Sequence, residues 1–125
     1  MNKPPLRILL VDDEVDFVEM LALRLEESGE IVMSAHSGEA CLDILSREPV
    51  DVVLLDIRMP DMDGIETLRR IKTRNFPVEV LLLTGHGTMD TAVQAMDLGA
   101  FDYLLKPADF KEITAKIERF RRARE

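Results

Sequence analysis

The segment Val52–Gly64, VVLLDIRMPDMDG, begins as an apolar run and ends in carboxylates. Its four leading Val and Leu residues predict a strand that is covered by helices on both faces, as the strands of a parallel sheet are. Asp56 ends this strand, and the next eight residues show neither helical nor strand periodicity. An acid at the end of a core strand therefore needs an explanation in chemistry rather than in packing.

Short runs rich in Leu and β-branched residues alternate with amphipathic segments along the chain, which is typical of βαβ units and a parallel sheet. The five predicted strands are Arg7–Asp12, Ile31–Ala35, Asp51–Asp56, Glu79–Thr84 and Phe101–Lys106. A helix is predicted after each strand, with Ser37 and Asp63 as N-caps of the second and third helices and Gly29 as the stop of the first. The predicted fold class is α/β, with a doubly wound sheet.

The last two helices differ in how much apolar surface they offer. The fourth, TMDTAVQAMDLG, is predicted to open on Thr88 and to close on Gly99, with Ala92, Val93 and Met96 as most of its inward face. Because these side chains bury little area, we expect this helix to be the most mobile element. The last helix begins at about Asp109 and has an apolar stripe of Phe110, Ile113, Ile117 and Phe120.

Composition indicates one soluble domain spanning residues 1–125, with a core from about 6 to 120, since 46% of the 125 residues are hydrophobic and 32% are charged. The net charge of −8 argues against direct binding to nucleic acid or an anionic membrane. No apolar run approaches the roughly 20 residues of a membrane span, and no signal peptide is evident, so a cytoplasmic location is expected. The arginines of the final ERFRRARE, including residues 121–125, are predicted to be a solvated helix end or the start of a linker.

Polar residues stand at the carboxyl ends of four predicted strands: Asp12 and Asp13, Asp56, Thr84, and Lys106. If the first and third strands are neighbours where the strand order reverses, the three carboxylates converge at one edge of the sheet. Such crowding either raises a carboxylate pKa or creates a cation site. Oxygen ligands without a nearby His or Cys favour Mg²⁺.

A metal site at this edge would allow a carboxylate oxygen of Asp56 to attack phosphorus and form an aspartyl phosphate. The Lys106 ammonium and the Thr84 hydroxyl could then bind the phosphoryl oxygens. Asp61 and Asp63 are interpreted more simply, as a turn residue and a helix cap.

Three further residues that could carry chemistry are interpreted as structural. His36 and His86 have no partners at metal-ligand spacing and are predicted to be exposed loop residues. The lone Cys41 is predicted to be a small buried hydrophobe.

The segments ILLVDDE, DVVLLDIRMPDMDG, LLLTGHG and GAFDYLLKP together resemble the four signature segments of the receiver domain of two-component response regulators, from about Arg7 to Phe120. The resemblance implies a flavodoxin-like (βα)5 fold with strand order 2-1-3-4-5 and Asp56 as the phosphoacceptor. It also implies that Asp13, Asp56 and the Arg58 carbonyl bind Mg²⁺, or alternatively Mn²⁺, directly, with Asp12 acting through water.

Further expectations follow from the same resemblance. The Lys106–Pro107 peptide is expected to be cis, and Tyr103 is expected to turn when the Thr84 hydroxyl moves toward a phosphate. Arg58 and His86 are expected to tune the phosphate lifetime.

The implied partners are a sensor histidine kinase or phosphotransfer protein, and an effector domain or a separate output protein. A phosphorylation-dependent homodimer through the face formed by the fourth helix, fifth strand and fifth helix (the 4-5-5 face) is also implied. The domain is expected to promote its own phosphorylation and dephosphorylation without turning over a small molecule.

Three alternatives remain open from the residues. The first is a receiver-like adaptor that is never phosphorylated. The second is a flavodoxin-like FMN carrier, although the acids of VDDEVDF stand where a phosphate would approach. The third is a Mg²⁺-dependent phosphohydrolase, which would need an acid or base where Arg58 stands.

Overall fold

The computed structural model describes residues 4–85 and 89–124. Five parallel strands form one sheet: β1 (Arg7–Val11), β2 (Ile31–Ala35), β3 (Val52–Asp56), β4 (Glu79–Thr84) and β5 (Asp102–Leu105). Their order across the sheet is β2-β1-β3-β4-β5, so β1 and β3 are neighbours at the reversal point. The α/β fold and the strand order are therefore as predicted, and the strand limits differ from the prediction by at most one residue at either end.

Five helices connect and cover the strands: α1 (Val15–Glu27), α2 (Gly38–Arg47), α3 (Gly64–Thr73), α4 (Met89–Asp97) and α5 (Phe110–Ala123). The predicted caps form, since Ser37 Oγ accepts from the Ala40 amide and Asp63 Oδ1 accepts from the Glu66 amide. Gly29 follows α1 with a positive φ of 98°, a conformation that suits glycine. None of the helices in the described ranges is both long and apolar enough to cross a bilayer.

The sheet separates two apolar cores, because successive side chains of each strand point to opposite faces. Leu9, Val53 and Leu82 face α2, α3 and α4, where the fully buried Cys41 also lies. Burial raises the pKa of the Cys41 thiol to about 12, which agrees with its predicted packing role. Leu54 faces the opposite core, formed with α1 and α5. All five residues of β3, the third strand across the sheet, are buried. Asp56 is the last of them.

The prediction for the inward face of α4 was wrong in part. Val93 and Met96 are 51% and 43% exposed, whereas Ala92 and Ala95 are buried. The buried positions are three residues apart on one face of the helix, and they are the smaller side chains. The predicted start at Thr88 lies outside the described residues.

The prediction that the final arginines are solvated was wrong for Arg121. This side chain is buried, donates to the Pro4 carbonyl oxygen over 2.6 Å, and forms an ion pair with Glu30. Glu30 in turn accepts from the Leu6 amide over 2.9 Å. Arg121 is four residues after Ile117 on the buried face of α5, where its guanidinium is paired with Glu30 rather than solvated.

Candidate functional site

Three aspartates meet at the carboxyl edge of the sheet. Asp56 ends β3, Asp12 directly follows β1, and the two strands are paired. One carboxylate oxygen from each of Asp12, Asp13 and Asp56 lies within 4.8 Å of the others. Asp12 and Asp56 are only 2% and 4% exposed, whereas Asp13 is exposed. The three carboxylates therefore converge as the sequence predicted, and one of them, that of Asp13, is open to solvent.

Lys106 extends from the end of β5 into this cluster. Its Nζ atom lies 2.6 Å from Asp12 Oδ2 and 3.5 Å from Asp56 Oδ1. The Lys106 side chain is only 15% exposed, so most of it is shielded from solvent beside these carboxylates. Lys106 is thus part of the cluster rather than a solvated loop charge. The Lys106–Pro107 peptide bond is cis.

Asp12 is held from several sides. Its Oδ1 atom accepts from the Glu14 amide over 2.9 Å, while Oδ2 accepts from Lys106. The Asp12 carbonyl oxygen lies 2.9 Å from His36 Nδ1, and a hydrogen bond there requires the proton on that nitrogen. His36 is exposed, as predicted, but it also supports the backbone of the site, which its sequence position did not suggest.

The electrostatics of the cluster follow from burial and crowding. Burial raises the pKa of Asp56 from 3.8 to about 6, with a further upward contribution from Asp12 and an opposing one from Lys106. For Lys106, burial acts to lower the pKa, but the hydrogen bond and charge of Asp12, with Asp56 and Glu14, outweigh it and raise the pKa. The Lys106 ammonium therefore stays charged at neutral pH. Ionisation of Asp56 in the folded protein, by contrast, costs free energy.

Thr84 and Tyr103 stand beside the cluster on neighbouring strands. Thr84 ends β4, is 2% exposed, and its carbonyl oxygen accepts from the Lys106 amide over 2.7 Å. Tyr103 is half-buried on β5 opposite Leu82 and packs against the core on the α2, α3 and α4 side. Thr84 and Tyr103, which are predicted to move together, are thus carried by two hydrogen-bonded strands. The second of these, β5, leads into Lys106.

The loop after β3 folds back tightly against the strand. A Cβ atom on Gly64 would lie 2.3 Å from the Asp56 carbonyl oxygen, so no other residue fits there without a shift. Asp61 adopts a positive φ of 69°, which agrees with its predicted turn role. Asp13 and Arg58 line the same cavity beside the cluster, together with Ile57, Met59, Pro60 and Asp63.

Sequence reasoning missed two neighbours of the site. Glu14 Oε1 lies 3.5 Å from Lys106 Nζ, and the Phe17 ring centroid lies 4.8 Å from the same atom. Their position just after the acidic pair was the available signal, but periodicity alone assigns Phe17 to helix packing. The predicted loop residue His86 lies outside the described residues.

The family described as response regulator receiver domain matches residues 8–118. The chain belongs to this receiver domain family. Receiver domains generally bind Mg²⁺ at an acidic pocket, and Asp12, Asp13 and Asp56 form such a cluster here.

Curated relatives of this receiver domain include transcriptional regulatory proteins. The transcriptional regulatory protein ZraR of Escherichia coli K12 is 40% identical over 119 residues, which cover 95% of this chain and 27% of ZraR. The chain spans about a quarter of the length of the curated relatives it matches.

Solved receiver structures share the fold closely. A response regulator receiver domain protein from Clostridium thermocellum is 36% identical with a TM-score of 0.86, covering 92% of this chain and 93% of that one. A response regulator from Burkholderia pseudomallei, solved with a phosphorylated aspartic acid, a calcium ion and citrate, is 31% identical with a TM-score of 0.82 over 88% of this chain and 65% of that one. This chain is therefore a receiver domain of a two-component response regulator, which is a regulatory domain. The family match disfavours two of the alternatives, the FMN carrier and the phosphohydrolase.

Proposed function

We propose that Asp56 is the phosphoacceptor of this receiver domain. The observation that carries the proposal is the position of a buried carboxylate at the end of the central strand, within reach of two further aspartates and one ammonium. Asp12 is less suited to this role because Lys106 and the Glu14 amide occupy both of its oxygens. Asp13 is exposed and lacks the enclosed position of Asp56.

The donor set fits a divalent cation. Three carboxylates and one ammonium leave a formal excess of two negative charges, and the oxygen ligands suit Mg²⁺ or Mn²⁺. We assign Asp13, Asp56 and the Arg58 carbonyl as direct ligands, and Asp12 as a ligand through water. A bound ion would neutralise charge on the attacking carboxylate and on the incoming phosphoryl oxygens.

The proposed reaction is transfer from a phosphohistidine. An Asp56 oxygen forms a new bond to phosphorus as the phosphorus–nitrogen bond breaks, and the imidazole nitrogen keeps the electron pair of that bond. The Lys106 ammonium moves from Asp12 to a phosphoryl oxygen, and the Thr84 hydroxyl donates to another. Later attack by water on phosphorus releases phosphate and regenerates the Asp56 carboxylate.

The proposed output step is a rearrangement of Thr84 and Tyr103 that changes the 4-5-5 face. Movement of the Thr84 hydroxyl toward the phosphoryl group would free space for the Tyr103 ring to turn inward from β5. Val93 and Met96 of α4 and Leu105 of β5 are exposed on the surface beside these strands. We propose that phosphorylation changes this 4-5-5 face, which then binds an effector or a second receiver copy.

The partners follow from the donor chemistry and from the relatives. A sensor histidine kinase or a phosphotransfer protein would supply the phosphohistidine. Because the curated relatives are about four times longer than this chain, and several are named as transcriptional regulatory proteins, an effector domain or a separate output protein in the cytoplasm is the proposed target.

Incubation with acetyl phosphate and Mg²⁺, followed by intact-mass measurement, tests the proposal. The wild type and Asp61→Asn should gain one phosphoryl group, because Asp61 is an exposed turn residue whose positive φ asparagine tolerates. Asp56→Asn should gain none. Equal gain by Asp56→Asn would remove the assignment, and no gain by the wild type would favour the unphosphorylated adaptor.

A further inference from the structure

Phe17 lies against the Lys106 ammonium, although no motif of the sequence gives it a role in the site. The Lys106 Nζ atom is 4.8 Å from the centroid of the Phe17 ring. Phe17 stands in the first turn of α1 and packs, half-buried, against the core on the α1 and α5 side. We propose that Phe17 is a positioning residue for phosphoryl transfer, which keeps the Lys106 ammonium directed at the carboxylates of Asp12 and Asp56.

An aromatic ring suits this position for a specific electrostatic reason. The Lys106 side chain is only 15% exposed, so most of it is shielded from solvent, and cation–π attraction is stronger where the cation is shielded from water. The ring face attracts the charge through its quadrupole but accepts no strong hydrogen bond. The ring therefore takes up none of the three N–H donors of Lys106, which can serve Asp12, Asp56 and incoming phosphoryl oxygens.

Glu14 provides the competing position for the ammonium. Its carboxylate lies 3.5 Å from Lys106 Nζ but is 67% exposed, so a lysine that turned toward it would move toward solvent. The four-carbon stem of lysine permits such movement. Attraction to the fixed ring of Phe17 favours the inward position, which reduces the reorganisation needed before Lys106 can stabilise the transferring group.

Ring-fluorinated phenylalanine at position 17 separates this electrostatic role from packing. Fluorination removes most of the negative charge of the ring face while nearly preserving its shape. We expect acetyl phosphate to phosphorylate the fluorinated protein and Phe17→Leu about three- to tenfold more slowly than the wild type at saturating Mg²⁺. Phe17→Tyr, which keeps the ring, should remain within about twofold.

A second measurement uses metal-free protein. The ring current of Phe17 should shift the Lys106 side-chain proton resonances upfield, and Phe17→Leu should abolish that shift while Phe17→Tyr retains it. This readout does not depend on phosphorylation.

The outcomes separate this inference from the proposed function on which it rests. Wild-type phosphorylation rates in the fluorinated protein, or Lys106 resonances unchanged in Phe17→Leu, would overturn the role of Phe17 and leave Asp56 as phosphoacceptor. Absence of phosphoryl gain in the wild type would overturn both. If Phe17→Leu fails to fold, the fluorinated protein decides the question, since its ring keeps the packing.

Discussion

At the scale of single residues, the site concentrates negative charge where water is scarce. Asp12 and Asp56 are both buried, and Lys106 is the ammonium between them. Lys106 approaches Asp12 much more closely than Asp56, so the charge of Asp56 is less well compensated. This asymmetry agrees with the direction of its pKa, which rises to about 6. Asp56, the residue proposed to react, is thus ionised in the folded protein only at a cost in free energy.

The raised pKa of Asp56 predicts how stability depends on pH. Its folded-state pKa of about 6 lies above the ordinary 3.8, so the protonated form is favoured on folding, and stability is lost as pH rises from about 4 through 6. In metal-free protein, Asp56→Asn should therefore be more stable than the wild type at pH 8, by up to about 3 kcal/mol. Denaturant unfolding at several pH values measures this difference.

The difference should shrink toward zero as pH falls to about 4. Asp61→Asn in the exposed turn removes a carboxylate outside the cluster and serves as the control. A pH-independent difference between Asp56→Asn and the wild type would contradict the explanation by burial and charge.

At the scale of elements, the site is carried by buried strands and lies near α4, whose described buried side chains are small. β3 is buried along its whole length, whereas the buried side chains described in α4, over residues 90–97, are the small ones of Ala92 and Ala95. These described side chains bury little apolar area against the sheet, so local unfolding of α4 should require less free energy than that of β3. A mobile α4 next to β5 would allow the change of the 4-5-5 face that we propose for phosphorylation.

Hydrogen exchange should reveal this difference between elements. The amides of α4 should exchange faster than those of β3, and also faster than those of α3, which buries Ile65, Leu68 and Ile71 and serves as the helical control. Mass spectrometry of peptides after timed exchange measures this. Protection of α4 equal to that of β3 would contradict the account of α4.

At the scale of the whole molecule, polar networks occupy both edges of the sheet and differ in kind. The carboxyl edge has excess negative charge and an exposed member, Asp13. The opposite edge holds a closed network in which Arg121 joins α5 to Glu30 and to the Pro4 carbonyl oxygen. Charges that are fully paired in this way indicate a structural connection rather than a binding site.

Removal of one partner from the buried pair should be costly. Arg121→Ala leaves Glu30 without its guanidinium and should lower the free energy of unfolding by about 2–4 kcal/mol. The neighbouring Arg122 is exposed, so Arg122→Ala should change it by less than about 0.5 kcal/mol. Urea unfolding of both variants measures the contrast, and equal effects would show that the buried network contributes nothing specific.

Much of this architecture could be predicted because it depends on local patterns. Apolar runs located the strands, and the parallel arrangement placed Asp56, Thr84 and Lys106 at one edge. The inward face of α4 was harder to predict, since small and large apolar side chains compete for the same contact. The contacts of Phe17 and Arg121 depend on how α1 and α5 pack against distant parts of the chain, and periodicity does not encode them.

Chemical location of the acyl phosphate tests the central claim most directly. Borohydride reduces an aspartyl phosphate to homoserine, so treatment of the protein after exposure to acetyl phosphate and Mg²⁺, followed by peptide sequencing, identifies the modified position. We predict homoserine at position 56, dependent on Mg²⁺. Homoserine at position 12 or 13, or at no position in a protein that retains its fold, would contradict the assignment of Asp56.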